Sequence, residues 1–254
     1  MEILIKQSAA EVAIHAADIM ASYVTPGAVL GLATGSTPLQ MYRELISRCE
    51  SGQISFAGTQ AFLLDEYIGL PREHDQSYYR FIREEFTSHI DIDDAQVHSP
   101  NGFASDIHAE GPAYDAAIAA AGGVDIQLLG IGSNGHIGFN EPASSLTSGT
   151  RVETLHPQTV KDNARFFDGE ESQVPVHVLT QGLGTISKAG HLLLIATGAN
   201  KAHAVRDMIE GPLSAHCPAS ILQLHPKATV IVDEAAAALL DNSDYYRFCA
   251  ANKI

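Results

Sequence analysis

The chain has 254 residues, 45% of them hydrophobic, enough to bury a full core, and no apolar run approaches the roughly 18 residues of a membrane span. Its 30 acidic against 15 basic residues give a formal charge of -15, which excludes general attraction to nucleic acid and obliges any anionic ligand to find a local basic pocket. Cys49, Cys217 and Cys249 form no CxxC pair and are odd in number, which suits a reducing compartment, and the start MEILIKQSAAEVA lacks the features of a signal peptide, so a cytoplasmic protein is expected.

Residues 3–5 read as an edge strand, followed by a helix that Ser8 and Glu11 open as a capping box. Apolar runs at 28–33, 61–64, 124–129, 191–196 and 229–232 each end in turn residues and pass into a helical pattern, with Ala-rich helices expected at 113–121 and 234–240. That alternation predicts an α/β fold with an open, mostly parallel sheet and helices on both faces. No Pro/Ser-rich linker or shift in composition divides the chain, so one domain over residues 1–254 is expected.

The apolar run at 28–33 leads into Thr34-Gly35-Ser36-Thr37-Pro38. Glycine permits a tight turn, the hydroxyls can donate, Thr37 can cap a helix and Pro38 suits its first position. The free N–H groups of the helix beginning near Leu39 would then face an anion, phosphate being the usual one. An ordinary capped helix start is the plain alternative. The pattern recurs as Ala196-Thr197-Gly198-Ala199, with Lys201 just beyond as a counter-charge. Two such turns, expected side by side at one end of the sheet, favour a phosphate pocket.

Asp65-Glu66 follows Phe62-Leu63-Leu64 directly. Adjacent carboxylates at a strand's end can divide labour, one taking a proton from a substrate carbon while the other orients a neighbour or contacts substrate. Acids that merely end a strand in solvent are the alternative. The stretch 128–142, LLGIGSNGHIGFNEP, contains a G-x-G-x-x-G match, but Gly138 and Pro142 interrupt the helix that a dinucleotide site needs, so a nicotinamide site is rejected. In this stretch His136 is a candidate proton shuttle and Glu141 its partner. With no HExxH and no tight His/Cys/carboxylate cluster, no metal is expected, and Cys217 reads as a structural thiol. Residues 161–169, KDNARFFDG, place cations and aromatics in a loop-like region. They read either as a surface loop anchored by two phenylalanines or as part of a mobile lid, around 155–178, whose Arg165 closes on phosphate.

Five separated motifs in order, ATGSTP (33–38), LDEYIGL (64–70), GIGSNGHIGFNEPASS (130–145), NARFFD (163–168) and LQLHPK (222–227), resemble the glucosamine-6-phosphate deaminase (isomerase) family. The resemblance implies a Rossmann-like single domain that converts glucosamine 6-phosphate and water to fructose 6-phosphate and ammonia in amino-sugar catabolism, with no cofactor. By the same resemblance His136 opens the pyranose ring, assisted by Glu141 and Asn134, and Asp65 takes the C2 proton and returns it at C1. Glu66 supports the site, while Thr34, Gly35, Ser36, Thr37, Arg165 and Lys201 hold the phosphate. Better-known members carry Asp where this chain has Asn134. Asn is expected to accept a hydrogen bond from the imidazole and fix its tautomer while bringing no charge, leaving Glu141 to carry more of the electrostatic support.

Some relatives are hexamers activated by N-acetylglucosamine 6-phosphate through an Arg and a Lys two residues apart. Here the pair corresponds to Arg151 and Glu153, and the acid would repel a phosphate, so weak or absent activation is expected; a homo-oligomer is left open. Two other readings compete. A 6-phosphogluconolactonase would share the phosphate pocket but needs no base at C2. A sugar-phosphate sensor would need a DNA-binding partner domain, of which the sequence has no helix-turn-helix extension or basic patch.

Overall fold

The computed structural model describes residues 1–253. The elements, in chain order, are β1 (Glu2–Lys6), α1 (Ala9–Ala21), β2 (Val29–Leu32), α2 (Leu39–Glu50), β3 (Gln60–Leu63), β4 (Asp65–Tyr67), α3 (Tyr78–Glu85), β5 (Val97–His98), α4 (Ile107–Ala120), β6 (Ile126–Leu129), β7 (Arg151–Thr154), α5 (Pro157–Asn163), β8 (His177–Thr180), α6 (Leu183–Ile186), β9 (Leu192–Ala196), α7 (Ala202–Ile209), β10 (Ala228–Asp233) and α8 (Ser243–Ala251). Seven strands form a parallel sheet in the order β1-β10-β9-β6-β2-β3-β5. The expected single-domain α/β architecture is therefore present. The strands that read as unbroken apolar runs are those buried on both faces, as in β2, β6 and β9. Among the described residues, no helix is long and apolar enough to cross a membrane.

The order reverses at β2. From there β3 and β5 extend one way, whereas β6, β9 and β10 extend the other. Loops leaving β2 and β6 diverge at such a switch point and open a crevice at the carboxyl end of the sheet. The Thr34–Pro38 turn and the glycine-rich stretch after β6 both emerge there.

Local signals hold in most places. Ser8 Oγ accepts from Glu11 N at 3.3 Å as expected, while the Glu11 carboxylate accepts from Gln7 N rather than from Ser8 N. One helix is misplaced: residues 234–239 form turns, and the closing helix is α8. Asp233 opens this segment as a helix cap would, its carboxylate accepting from Ala236 N at 2.8 Å and its C=O from Ala237 N at 2.9 Å, but residues 234–239 do not go on to a regular helix.

A second, three-stranded antiparallel sheet, β4-β8-β7, lies beyond the elements expected from the sequence. Its strands are three or four residues long, and β7 is partly exposed and polar, so it carries no clear hydrophobic period. Leu64 separates β3 from β4, so the chain passes from one sheet to the other just before Asp65. Tyr114 Oη fixes that joint by donating to Leu63 O at 2.8 Å. Above the joint, a second apolar cluster gathers Tyr67, Phe139, Leu155, Ala164, Phe167, Val174 and Val178.

Candidate active site

A cleft of about 560 Å³ occupies the switch point, lined by Thr34 to Pro38, Asp65, His136, Arg165 and Lys201 among others. Eight of the eleven residues singled out from the sequence line this one cavity; Asn134 and Glu66 stand behind its wall. Glu141 likewise lies behind His136, with its Oε2 3.5 Å from His136 Nδ1.

Strand alternation separates the two adjacent acids. On β4, Asp65 and Tyr67 share the face that lines the cleft, and Glu66 points to the other side. Glu66 accepts from the backbone N–H groups of Tyr67 at 2.9 Å, Tyr78 at 2.9 Å and Tyr79 at 3.0 Å. It thereby clamps the N-terminus of α3 to the strand, an orienting role rather than contact with the cleft. Burial raises the Glu66 pKa, against the lowering effect of those N–H groups. Asp65 is 5% exposed, and no side chain among the described residues hydrogen-bonds its carboxylate. Burial, with the Glu66 charge adding to it, raises Asp65 from 3.8 to about 8. A carboxyl so placed is suited to exchanging protons near neutral pH.

The glycine-rich stretch after β6 is an irregular loop with no helix, and its glycines serve the histidine. A Cβ on Gly132 would collide with the His136 imidazole, and Gly135 turns the chain at φ +85. Gly138, at φ +54, brings the loop backbone against Thr180 and Asp65. His136 Nδ1 is buried without a full hydrogen bond. Asn134 differs from expectation: its Nδ2 donates to Glu141 Oε2 at 2.7 Å, and its Oδ1 accepts from the backbone N–H of His136 at 3.3 Å. The amide thus orients Glu141 and the loop, and makes no bond to the imidazole. Burial alone would raise Glu141, but the nearby His136 and its charge, with the bonds from Thr159 and Asn134, outweigh it and bring the pKa to about 2. The loop therefore presents one fixed anion behind one imidazole.

The opposite wall carries free backbone N–H groups and two cationic side chains, Arg165 and Lys201. Thr37 does not cap α2: no side chain caps that helix, and its first N–H groups stay free at the cleft. Tyr42 Oη donates to Ala33 O at 2.7 Å and holds the turn in place. The second turn lies at the same end of the sheet, but β6 stands between the strands, so the two turns are not neighbours. Its Gly198 N–H is taken by Asp233 at 3.0 Å, leaving Thr197, Asn200 and Lys201 to face the cleft. Burial lowers the Lys201 pKa; Asp162 opposes this and Arg165 adds to it. Arg165 lies in a 3-10 turn after α5, so residues 161–169 are largely helical rather than loop. Among the described residues no group of three or more His, Cys, Asp or Glu side chains is placed to hold a metal ion.

Several residues at the site do not stand out in the sequence. Tyr67 accepts from Asn163 Nδ2 at 2.9 Å and from Tyr78 Oη at 3.0 Å, and Thr159 Oγ1 donates to Glu141 Oε1 at 2.6 Å. The partners in the Asn163–Tyr67 bond are 96 positions apart, and the available signal was only their place in the DEYIGL and NARFFD motifs.

Comparison with known proteins decides the family. The family of glucosamine-6-phosphate isomerases and 6-phosphogluconolactonases matches over residues 2–231. The chain belongs to that family. A glucosamine-6-phosphate deaminase of Corynebacterium aurimucosum is 67% identical over 254 residues, covering 100% of both chains. One from Rhodococcus jostii is 59% identical over 254 residues, covering 100% of this chain and 98% of the relative. A solved monomeric glucosamine-6-phosphate deaminase matches with a TM-score of 0.92 at 43% identity, covering 94% of this chain and 100% of that one. A 6-phosphogluconolactonase from Trypanosoma cruzi shares the fold, with a TM-score of 0.74 at 21% identity over 94% of this chain and 97% of the other. The family thus includes both fold relatives and much closer deaminases.

The raised Asp65 pKa has a consequence for stability. Between pH 3.8 and about pH 8 the folded family member keeps a proton on Asp65 that the unfolded chain has released. Its stability therefore falls as pH rises through that window, and the full cost of burying the charge applies above it. Asp65→Asn, which removes the charge and keeps the shape, is expected to raise the thermal midpoint at pH 9 by roughly 2–6 °C. An unchanged or lower midpoint by calorimetry at that pH would show that ionised Asp65 carries no such cost.

Proposed function

We propose that the protein is a cytoplasmic glucosamine-6-phosphate deaminase, converting glucosamine 6-phosphate and water to fructose 6-phosphate and ammonia. The observation that carries this reading is a buried carboxyl, Asp65, raised toward neutral pH in the same cleft as a histidine backed by an ionised Glu141. It is supported by close identity to chains bearing that activity.

In this mechanism the phosphate rests on the 34–37 turn and the free N–H groups of α2, with Lys201 and Arg165 supplying charge. His136 takes the proton of the C1 hydroxyl and delivers one to the ring oxygen, opening the pyranose to the aldehyde. Glu141 stabilises the imidazolium that forms between the two transfers. The ammonium group at C2 favours the ionised form of Asp65, which then removes the C2 proton as a proton passes from the ammonium group to the carbonyl oxygen, leaving a neutral enolamine. The protonated carboxyl is the preferred form in its dry setting, and it returns the proton to C1. The C–N unit is left as an imine at C2, to which water adds before ammonia departs. Residues 155–178 act as a lid in this account, carrying Arg165 onto the phosphate while Ala164 and Phe167 pack on the aromatic cluster.

A lactonase reading lacks a role for a base held over C2. Arg151 is engaged within the chain, donating to Asn140 Oδ1 at 2.9 Å and Ser144 Oγ at 3.0 Å and pairing with Glu153 at 2.8 Å. That arrangement supports the absence of activation by N-acetylglucosamine 6-phosphate.

Equal amounts of ammonia and fructose 6-phosphate are expected from glucosamine 6-phosphate, and Asp65→Asn is expected to lower kcat by about 10³-fold or more. Sugar phosphate binding without ammonia release would overturn the assignment. In the same assay N-acetylglucosamine 6-phosphate is expected to leave the half-saturating substrate concentration unchanged; a marked decrease would refute the account of Arg151 and Glu153.

A further inference from the structure

The Glu141 carboxylate is shared between two parts of the molecule. Its Oε2 faces the glycine-rich loop, accepting from Asn134 Nδ2 at 2.7 Å with His136 Nδ1 at 3.5 Å. Its Oε1 faces the first turn of α5, accepting from Thr159 Oγ1 at 2.6 Å and from the backbone N–H of His156 at 3.2 Å. Thr159 and Glu141 are both buried, so neither bond is replaced by bulk water if it is lost. We propose that Thr159 is a positioning residue for ring opening, holding Glu141 against His136 and so making that step depend on the seating of α5.

Two features make Glu141 sensitive to this tie. Asn134 is neutral and bonds Glu141 rather than the imidazole, so Glu141 is the one acid in contact with His136 among the described residues. In addition, the 3.5 Å separation leaves His136 Nδ1 without a full hydrogen bond, so a small rotation of the carboxylate decides whether the imidazolium is supported. Thr159 and the backbone N–H of His156 are the two donors on the far oxygen that set this rotation. Both lie at the start of α5, which leads directly to Asn163 and Arg165. The same segment that reaches Tyr67 through Asn163 therefore also fixes the anion behind the histidine.

The inference rests on the deaminase reading. A wild-type chain that releases no ammonia would defeat that reading, whereas an active wild type with indifferent Thr159 variants would defeat the inference alone. Thr159→Val keeps the shape and removes the donor. It is expected to lower kcat about tenfold to hundredfold with KM changed less than about twofold, and Thr159→Ser is expected to restore most of the loss. In a Glu141→Gln background the same Thr159→Val change is expected to cost less than about twofold, because its effect passes through Glu141. A merely structural role would cost the same in both backgrounds. His156→Pro gives a second route to the same test. It removes the other donor at a position whose φ of -61 accepts proline, and should lower kcat in the same direction. If Glu141→Gln turns over too slowly for the cycle, substrate deuterated at C2 decides: slowed ring opening leaves the isotope effect of Thr159→Val at or below that of wild type. An isotope effect that rises, a penalty that persists in Glu141→Gln, or full activity in Thr159→Val would overturn the proposal.

Discussion

The structure depends on a carboxylate pair divided by the pleat of a three-residue strand. Glu66, on one face of β4, collects three backbone N–H groups and ties α3 to the joint between the sheets. That leaves Asp65, on the other face, held in a dry position with no bond of its own to stabilise a charge. Each acid needs the other: without the Glu66 clamp the strand would not hold Asp65 still, and without the like charge beside it Asp65 would lose one of the two causes of its raised pKa. A solvated carboxylate would be a weak base with no tendency to keep the proton it removes. In the proposed reaction this site can take a proton from one carbon and return it to the next.

Across the cleft the electrostatics are reversed. Glu141 is pinned in the ionised form by donors from two directions, and the imidazole stands in front of it. Two buried carboxyls within one site thus have pKa values displaced in opposite senses, one up to about 8 and the other down to about 2. The difference follows from their neighbours: both are buried, but Glu141 has the His136 charge beside it and donors from Thr159 and Asn134, whereas Asp65 has the like charge of Glu66 and no donor. Environments that push two acids apart in this way allow them separate tasks.

Much of this was legible in the sequence, for identifiable reasons. Strands buried on both faces leave unbroken apolar runs, so β2, β6, β9 and β10 could be read directly. Glycine, hydroxyl and proline in a row marked the turn after β2, and Asp65, His136 and Glu141 stood out by residue type and place. The direction in which a side chain faces was not legible. Asn134 bonds Glu141 because the loop folds back on itself, and no local rule fixes that fold. Thr159 and Tyr67 take their roles from contacts 18 and 96 positions away. The second sheet escaped notice because its strands are too short for a period to emerge, and the helix expected at 234–240 is capped by Asp233 yet stays a run of turns.

The central claim, that Asp65 holds its proton into the neutral range, is open to direct observation by carbon NMR of protein labelled at the aspartate carboxyls, titrated without ligand. One carboxyl resonance with a midpoint about pH 8, missing from Asp65→Asn, is expected. An Asp65 resonance that titrates in the ordinary range near pH 4 would contradict it.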